Sequence, residues 1–449
     1  METGVQFAKP IRLQAAQAGW PEAVHDRSTT VMAPDGEAPE NMARKSNVLR
    51  AIGAGFLLTF VQLFVVVVLI APEGPLVYRY ETLVQHDSYW FANIIERGYD
   101  SILPPITRKM MEVSNVAFFP AYPTIAGAVH KWGGLSIYDA MLVTAQLAAW
   151  GFWSYFFLFC DRWNIRPLRQ FCGALAIAAH PTAFFLIAAY SESLFLMALF
   201  GFIYWSTGEG RTAKILAAVH GIVMSATRIV GIPCALFPMV RAFFEGGWKR
   251  VRNLPSFMRH HVSAVVLSFS AMLGAIGFFI YCLVRWGRWD LYMQTQSAGW
   301  AIVPDYLAVF KLSSYRWLIP PLDDPTQASQ MTMTLGAISF VVIALVELLP
   351  ALRQRTAWQT RMGLYFCAFI TYYIAVSGVA SVQMESMLRY QFCAHALIVL
   401  ALLHFLAQFH NPPVLARAFG IAAIVLLSAA ALGLQGWYVW NFTRGGWVA

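Results

Sequence analysis

Apolar residues in this chain come in long unbroken runs, not in alternation or in narrow stripes. The first, Ala51–Ala71 (AIGAGFLLTFVQLFVVVVLIA), contains no charged residue. A helix of about 20 apolar residues, at about 1.5 Å each, is what crosses about 30 Å of hydrocarbon. Further runs follow near 138–160, 171–189, 191–207, 213–227, 229–244, 261–284, 331–350, 362–380, 391–409 and 419–440. Each predicts a spanning helix, eleven with the first, in an all-α polytopic membrane protein. No internal repeat stands out, which counts mildly against the duplicated halves of many secondary transporters.

A further stretch, 116–130 (VAFFPAYPTIAGAVH), is short and contains Pro120 and Pro123. Charge decides how to thread it. Arg44, Lys45 and Arg50 precede the first run and place the N-terminus in the cytoplasm. If 116–130 crossed, the basic loops 161–170 (Arg162, Arg166, Arg169), 245–260 (Lys249, Arg250, Arg252, Arg259) and 351–361 (Arg353, Arg355, Arg361) would all face outward. If it only dips in, all three face the cytoplasm. The stretch therefore reads as a juxtamembrane or re-entrant helix. The external segments are then 72–137, the turns at Tyr190–Ser191 and Thr227–Arg228, the long loop 285–330, the turn 381–390 and the tail 441–449. Residues 1–46 are polar, hold Pro10, Pro21, Pro34 and Pro39, and read as a mobile cytoplasmic tail before a membrane domain over 47–449. A short amphipathic piece around Ile11–Trp20 is the one element they suggest.

Composition agrees. Apolar residues make up 58% and charged residues 12%, against about 45–50% and about 25% in soluble domains. This excludes a soluble enzyme, a disordered hub and a disulfide-stapled secreted domain. The net charge of +9 belongs to the cytoplasmic loops and not to a nucleic-acid surface. Cys160, Cys172, Cys234, Cys282, Cys367 and Cys393 lie in or beside apolar runs, with no CxxC pair and no zinc-ligand spacing. They read as small buried hydrophobes.

Charges concentrate at the ends of the runs, which favours a surface reaction over a carrier with charges at mid-membrane. Glu73, Glu81, Asp87, Glu96, Asp100, Glu112 and Asp139 lie in or beside the first external loop. Most are ordinary solvated residues. Asp87 stands at the start of an amphipathic stretch, HDSYWFANIIERGYDS, where it either caps the helix or serves as a general base at the membrane surface. Arg228 interrupts two apolar runs, where an unpaired charge is expensive; it either holds an anion or forms a structural salt bridge to Glu192. Arg389, in MLRY with Tyr390 beside it, either holds an anion or positions the head of its helix. Glu192, in YSES, orients Arg228 or His86, or caps the next helix. His86 is placed to reach Asp87. Tyr99, Phe118, Phe119 and Tyr122 read first as interfacial anchors. The loop 285–330 is rich in aromatics and is expected to cover a site, with Trp289, Trp300 and Trp317 on sugar or among headgroups. Asp323-Asp324, followed by Pro325, reads as a turn.

The stretches HDSYWFANIIERGYDS, VAFFPAYPTIAGAV, HPTAFFLIAAYSESLFLMAL, SATRIVGI and MLRYQFCAHALIVLAL, in that order, with the closing GGWVA, resemble the PIG-V-like mannosyltransferases. These belong to the GT-C class of integral-membrane glycosyltransferases. The resemblance runs from about residue 75 to the end. The family usually has Trp-Asp where this chain has His86-Asp87, and Asn-Pro where it has His180-Pro181.

The resemblance implies a GT-C-like fold with juxtamembrane helices in the first external loop. It also implies transfer of mannose from polyprenyl- or dolichyl-phosphate mannose to a glycolipid or other hydroxyl acceptor outside the cytoplasm. Asp87 matches the family's acid and becomes the base of an inverting reaction. Arg228 and Arg389, with Glu192, His86 and Tyr390, are the expected binders of the donor phosphate and sugar. No metal or other cofactor is expected, since no DxD pair occurs. Either a bacterial inner membrane with the site facing the periplasm or an endoplasmic reticulum membrane would suit this layout. The alternatives are a GT-C transferase of another lipid-phosphate-linked sugar, a relative that binds the donor without turnover, and a lipid or sugar carrier.

Overall fold

The computed structural model describes residues 39–101, 114–251, 253–321, 324–348, 358–407 and 414–448. Most of the N-terminal tail with its Ile11–Trp20 piece, and Glu112, Asp323, Arg353 and Arg355, lie outside the described residues. The chain divides into two units, Met1–Arg44 and Lys45–Ala449. Among the described residues the backbone is helical almost throughout, with one isolated antiparallel bridge between Ser101 and Ser114 and no strand.

In chain order the helices are α1 (Pro39–Phe64, continued by a π-helical turn Val65–Ile70), α2 (Leu76–Glu81), α3 (Ser88–Arg97), α4 (Ala121–Gly133), α5 (Ile137–Arg162), α6 (Pro167–Ala178), α7 (Glu192–Ser206), α8 (Gly210–Thr227) and α9 (Gly231–Cys234). They continue with α10 (Phe237–Val251), α11 (Leu254–His260), α12 (Val262–Trp286), α13 (Leu291–Trp300), α14 (Pro325–Leu348), α15 (Trp358–Val379), α16 (Met387–Leu406) and α17 (Val414–Phe442). Seven helices among the described residues are long and apolar enough to cross a membrane: α1, α5, α12, α14, α15, α16 and α17. Helix α7 is a shorter apolar helix. The protein is thus an all-α, multi-pass membrane protein.

The apolar runs and the helices coincide, with two instructive exceptions. The run 171–189 does not form one helix. Helix α6 stops at Ala178, and the chain then passes through Pro181 and a short 3-10 turn, Ala183–Leu186, before α7 begins. Pro181 has no N–H to offer a helix and crowds the preceding turn, which is enough to end it. The resulting non-helical stretch is buried from Ala183 to Tyr190. Irregular backbone at membrane depth is tolerated only when it is buried in protein, and this one is held by side chains. Gln435 Nε2 donates to the His180 carbonyl at 2.6 Å, and Thr182 Oγ1 donates to the Leu388 carbonyl at 3.1 Å. The run 229–244 is likewise divided, into α9 with Pro233 and α10.

Between α1 and α5 the described residues form only short helices, α2, α3 and α4. Helix α4 has 13 residues, about 20 Å at 1.5 Å per residue, and falls short of the bilayer. It starts at Pro120 and stops at Gly134, whose φ of +65° is the left-handed value that suits glycine.

At one end of the bundle, Arg50 Nη2 pairs with Asp161 Oδ1 at 2.9 Å and joins the start of α1 to the end of α5. At this end Arg361 departs from the expectation of a loop. It lies within α15, fully buried, and is paired with Glu347 of α14. Glycines allow the closest helix contacts, as small residues do in membranes. A Cβ at Gly221 would strike Ala271, and one at Gly274 would strike the Ile222 carbonyl, so α8 and α12 cross almost backbone to backbone.

Candidate active site

The opposite end of the bundle gathers five of the six side chains singled out above. The assembly starts with two backbone segments that clamp each other. Ala189 N–H donates to the Leu83 carbonyl at 3.2 Å. Ser88 Oγ donates to the Ala189 carbonyl at 3.0 Å, and Tyr190 O–H donates to the Gln85 carbonyl at 3.1 Å. The buried stretch after Pro181 therefore fixes the loop before α3. This brings Asp87, at the end of that loop, close to Glu192 at the start of α7.

Asp87 occupies the cap position of α3, yet its side chain makes no capping bond. Its carboxylate turns instead to α16, where Arg389 Nη1 donates to Oδ2 at 2.7 Å. Arg389 Nε lies 3.5 Å from Glu192 Oε1, and Arg228 Nη1 lies 2.8 Å from the same oxygen. Two carboxylates and two guanidiniums thus alternate in one chain, Asp87–Arg389–Glu192–Arg228. Burial deepens along it toward the middle: the side chains of Asp87, Arg389, Glu192 and Arg228 are 21%, 5%, 1% and 17% exposed.

The contacts at Glu192 are close in charge but poorly aligned as hydrogen bonds. Among the described residues Arg228 Nη1, Arg389 Nε and Glu192 Oε2 have no well-formed hydrogen-bond partner, although each is shut off from solvent. A buried carboxylate oxygen without a donor is costly. Such a group in a folded protein calls for an explanation.

Aromatic rings surround the charges. Arg228 and Arg389 each stand 5.1 Å from the ring centre of Tyr390, and Arg389 lies 5.2 Å from that of Tyr190 and 5.6 Å from that of Phe185. Cations over ring faces are held by the ring quadrupole. The Tyr390 hydroxyl is 3.4 Å from Arg389 Nη2. Tyr292 of α13 completes this side; burial pushes its phenol well above the ordinary range, with neighbouring Tyr390 adding to the shift and Arg228 opposing it. Burial also raises Tyr190, and the Asp87 carboxylate adds to it. Burial works against the charge of Arg228, but Glu192, Cys393 and Tyr390 together outweigh it and hold the guanidinium above its usual pKa.

His86 is not part of this chain of charges. Its backbone has φ +49°, a left-handed value uncommon outside glycine, and this sends the ring away from Asp87. Nε2 lies 3.1 Å from the Gly446 carbonyl, and the ring stands edge-on to Trp447 with centres 5.0 Å apart. In place of a bond to Asp87, His86 makes a contact that ties the 82–88 loop to the C-terminal segment.

The aromatics of the external segments pack with one another. Phe119 and Tyr122 are buried, and Tyr122 O–H donates to the Met141 carbonyl at 2.8 Å. Trp300 lies 5.2 Å from Trp90 and 5.8 Å from Phe118, centre to centre, while Trp289 and Trp317 are exposed. Tyr99, Phe118, Phe119 and Tyr122 therefore form an inner cluster and not an interfacial belt. Asp324 accepts from Gln327 N–H at 2.9 Å and caps α14. A cavity of about 780 Å³ opens between α3, α4 and α12, with Lys131 at one margin. Its walls include Tyr99 and Phe278, which pack together; Phe278 also meets Phe119, which in turn meets Tyr292.

Sequence reasoning missed Tyr190, Tyr292 and the clamp made by Ser88. Tyr190 was marked only as a turn, and a serine in HDSYW carries no signal of a bond 101 residues away. All six cysteines are free, five of them buried. Among the described residues no three His, Cys, Asp or Glu side chains gather as metal ligands would.

Fold and site together define a multi-pass helical membrane protein with a buried chain of alternating acids and arginines at one end. No family model and no curated protein matches the sequence. Among solved structures the chain is similar to the crystal structure of ArnT from Cupriavidus metallidurans bound to undecaprenyl phosphate. The identity is 13%, the match covers 89% of this chain and 69% of that one, and the TM-score is 0.49.

Proposed function

We propose that the protein is an integral-membrane glycosyltransferase of the GT-C class, PIG-V-like in type. It moves mannose from a polyprenyl- or dolichyl-phosphate mannose to a glycolipid or other hydroxyl acceptor at the external membrane face. One observation carries the reading: the carboxylate of Asp87 lies 2.7 Å from a nearly buried arginine, with a second arginine joined through Glu192. A base beside two cations is what displacement of a phosphate from a sugar requires.

In the inverting reaction the acceptor oxygen attacks the anomeric carbon as Asp87 takes its proton. The bond from that carbon to the phosphate oxygen breaks, and the electron pair leaves with the lipid phosphate. Arg228 and Arg389 meet the charge that grows there; planar guanidiniums suit phosphate oxygens, and in a site shielded from water they act strongly. A positioned base contributes about 10²–10⁴-fold. The buried Glu192 holds the two guanidiniums in place, and Tyr390 offers a hydroxyl and a ring at the same spot.

The test is transfer of radiolabelled mannose from polyprenyl-phosphate mannose in membranes containing the protein or its Asp87→Asn variant. The reading expects a lipid-extractable labelled product from the first and none from the second. Equal transfer in both would remove Asp87 as the base. No transfer in either would count against the mannosyltransferase reading and reopen the sugar, the acceptor and the carrier alternative.

A further inference from the structure

The site as it stands is electrically closed. Two carboxylates face two guanidiniums, and Asp87 Oδ2 is engaged by Arg389 Nη1 at 2.7 Å. That bond occupies the carboxylate oxygen and the guanidinium edge that the acceptor and the phosphate would have to reach. Resting on the transferase reading above, we propose that Glu192 is a positioning residue on which Arg389 pivots. Donor phosphate draws the guanidinium off Asp87 and frees the base, so the donor binds before the acceptor reacts.

Three features of the geometry support the pivot. First, the two ends of Arg389's contacts differ in cost of release. Asp87 is the more exposed acid at 21%, so water can meet it when Arg389 leaves; Glu192 at 1% has no such access and would keep only Arg228 as its counter-charge. Arg389 therefore lets go of Asp87 and keeps Glu192. Second, the Nε–Oε1 contact is 3.5 Å and unsatisfied as a hydrogen bond, with Glu192 Oε2 unsatisfied beside it. Rotation of the guanidinium away from Asp87 has room to tighten this contact. Third, the rings of Phe185, Tyr190 and Tyr390 lie around Arg389 at 5.1–5.6 Å. They form a track on which a planar cation can turn while staying over a ring face.

Charge follows the same course. When the acceptor proton reaches Asp87, that residue's hold on Arg389 vanishes. At the same moment the leaving phosphate gains a negative charge and takes both arginines more firmly.

The experiment is binding of a sugar-free polyprenyl phosphate to the purified full-length protein, comparing wild type with Asp87→Asn and Glu192→Gln. Both substitutions keep side-chain shape and remove one negative charge. The pivot predicts opposite signs. Asp87→Asn releases Arg389 and binds the lipid phosphate about tenfold tighter, whereas Glu192→Gln loses the pivot and binds about tenfold weaker, each about 1.4 kcal/mol. Simple removal of negative charge would make both tighter. A merely structural Asp87–Arg389 pair would make Asp87→Asn weaker. Either pattern, or no change in both, overturns the pivot. Should Glu192→Gln not fold, Glu192→Asp keeps the charge and shortens the reach; the pivot expects weaker binding there too, and unchanged binding overturns it. If wild type shows no saturable binding of polyprenyl phosphate, the transferase reading itself falls, and the pivot with it.

Discussion

Two ion clusters stand at opposite ends of this bundle, and they are built differently. At one end Arg361 and Glu347 meet as a fork: Nε donates to Oε1 at 2.8 Å and Nη2 to Oε2 at 3.1 Å, and the Tyr365 hydroxyl adds a bond to Oε1 at 3.1 Å. Both carboxylate oxygens are satisfied. At the other end Glu192 is as deeply buried as Arg361, yet one of its oxygens draws two misaligned arginines and the second has no donor. A buried charge must be both paired and hydrogen-bonded to repay its desolvation. The Arg361 pair meets both conditions and holds two helices together. In the Asp87–Arg389–Glu192–Arg228 chain the Asp87–Arg389 bond meets both conditions, while the contacts at Glu192 meet only the first, which leaves those contacts the easier ones to rearrange.

The sharpest way to break this contrast is Asp87→Asn. Transfer should fall by about 10²–10⁴-fold, the share of a positioned base, while thermal unfolding in detergent moves little because Asp87 is the partly solvated member of its cluster. Large loss of stability with this variant would make the two clusters alike. At the other end, Glu347→Gln should do the reverse. Arg361 loses the carboxylate that forks onto its guanidinium, a loss of about 3–5 kcal/mol in stability, read as less folded protein and earlier unfolding. Transfer per folded molecule should stay within about twofold. A smaller effect is expected from replacing both partners, Arg361→Met with Glu347→Leu. Trading a buried ion pair for apolar packing is often neutral, and breaking only one partner is what costs most. Unfolding near that of wild type would show the pair to be structural; a persistent loss of transfer would show that this end matters to the reaction.

The contrast also marks what the sequence could reveal. Long uncharged runs such as Ala51–Ala71 identify helices because lipid demands them. The same logic failed at 171–189, where Pro181 breaks the helix and protein, not lipid, covers the backbone. Arg228 was legible because a charge between two apolar runs is expensive, and Asp87 because it opens an amphipathic stretch; Glu192 and Arg389 stood out by their place at turns between runs. Their pairing was less so. Glu192 with Arg228 was among the readings offered, while Asp87 with Arg389 joins residues 302 apart and has no local signature. His86 was misjudged for a conformational reason: proximity in sequence to Asp87 suggested a shared target, but the left-handed turn at His86 separates them. Arg361 was misjudged for the opposite reason. It was counted with the basic loop 351–361, but its helix continues and buries it against Glu347.

The smallest effect expected is that of chelation. A leaving phosphate needs positive charge, which a divalent cation or fixed guanidiniums can supply. The local donor set favours the second. The two acids of this cluster, Asp87 and Glu192, are both turned to arginines. A divalent ion bound between them would have to displace those arginines or stand beside two positive charges. Transfer in the presence of EDTA should therefore stay within about twofold of the untreated rate, far from the loss expected of Asp87→Asn. Abolition by EDTA with recovery on adding Mg²⁺ or Mn²⁺ would show that the arginines do not supply the charge alone. The unsatisfied Oε2 of Glu192 would then be the first oxygen to test as a ligand, by asking whether Glu192→Gln raises the Mg²⁺ or Mn²⁺ concentration needed for half-maximal recovery.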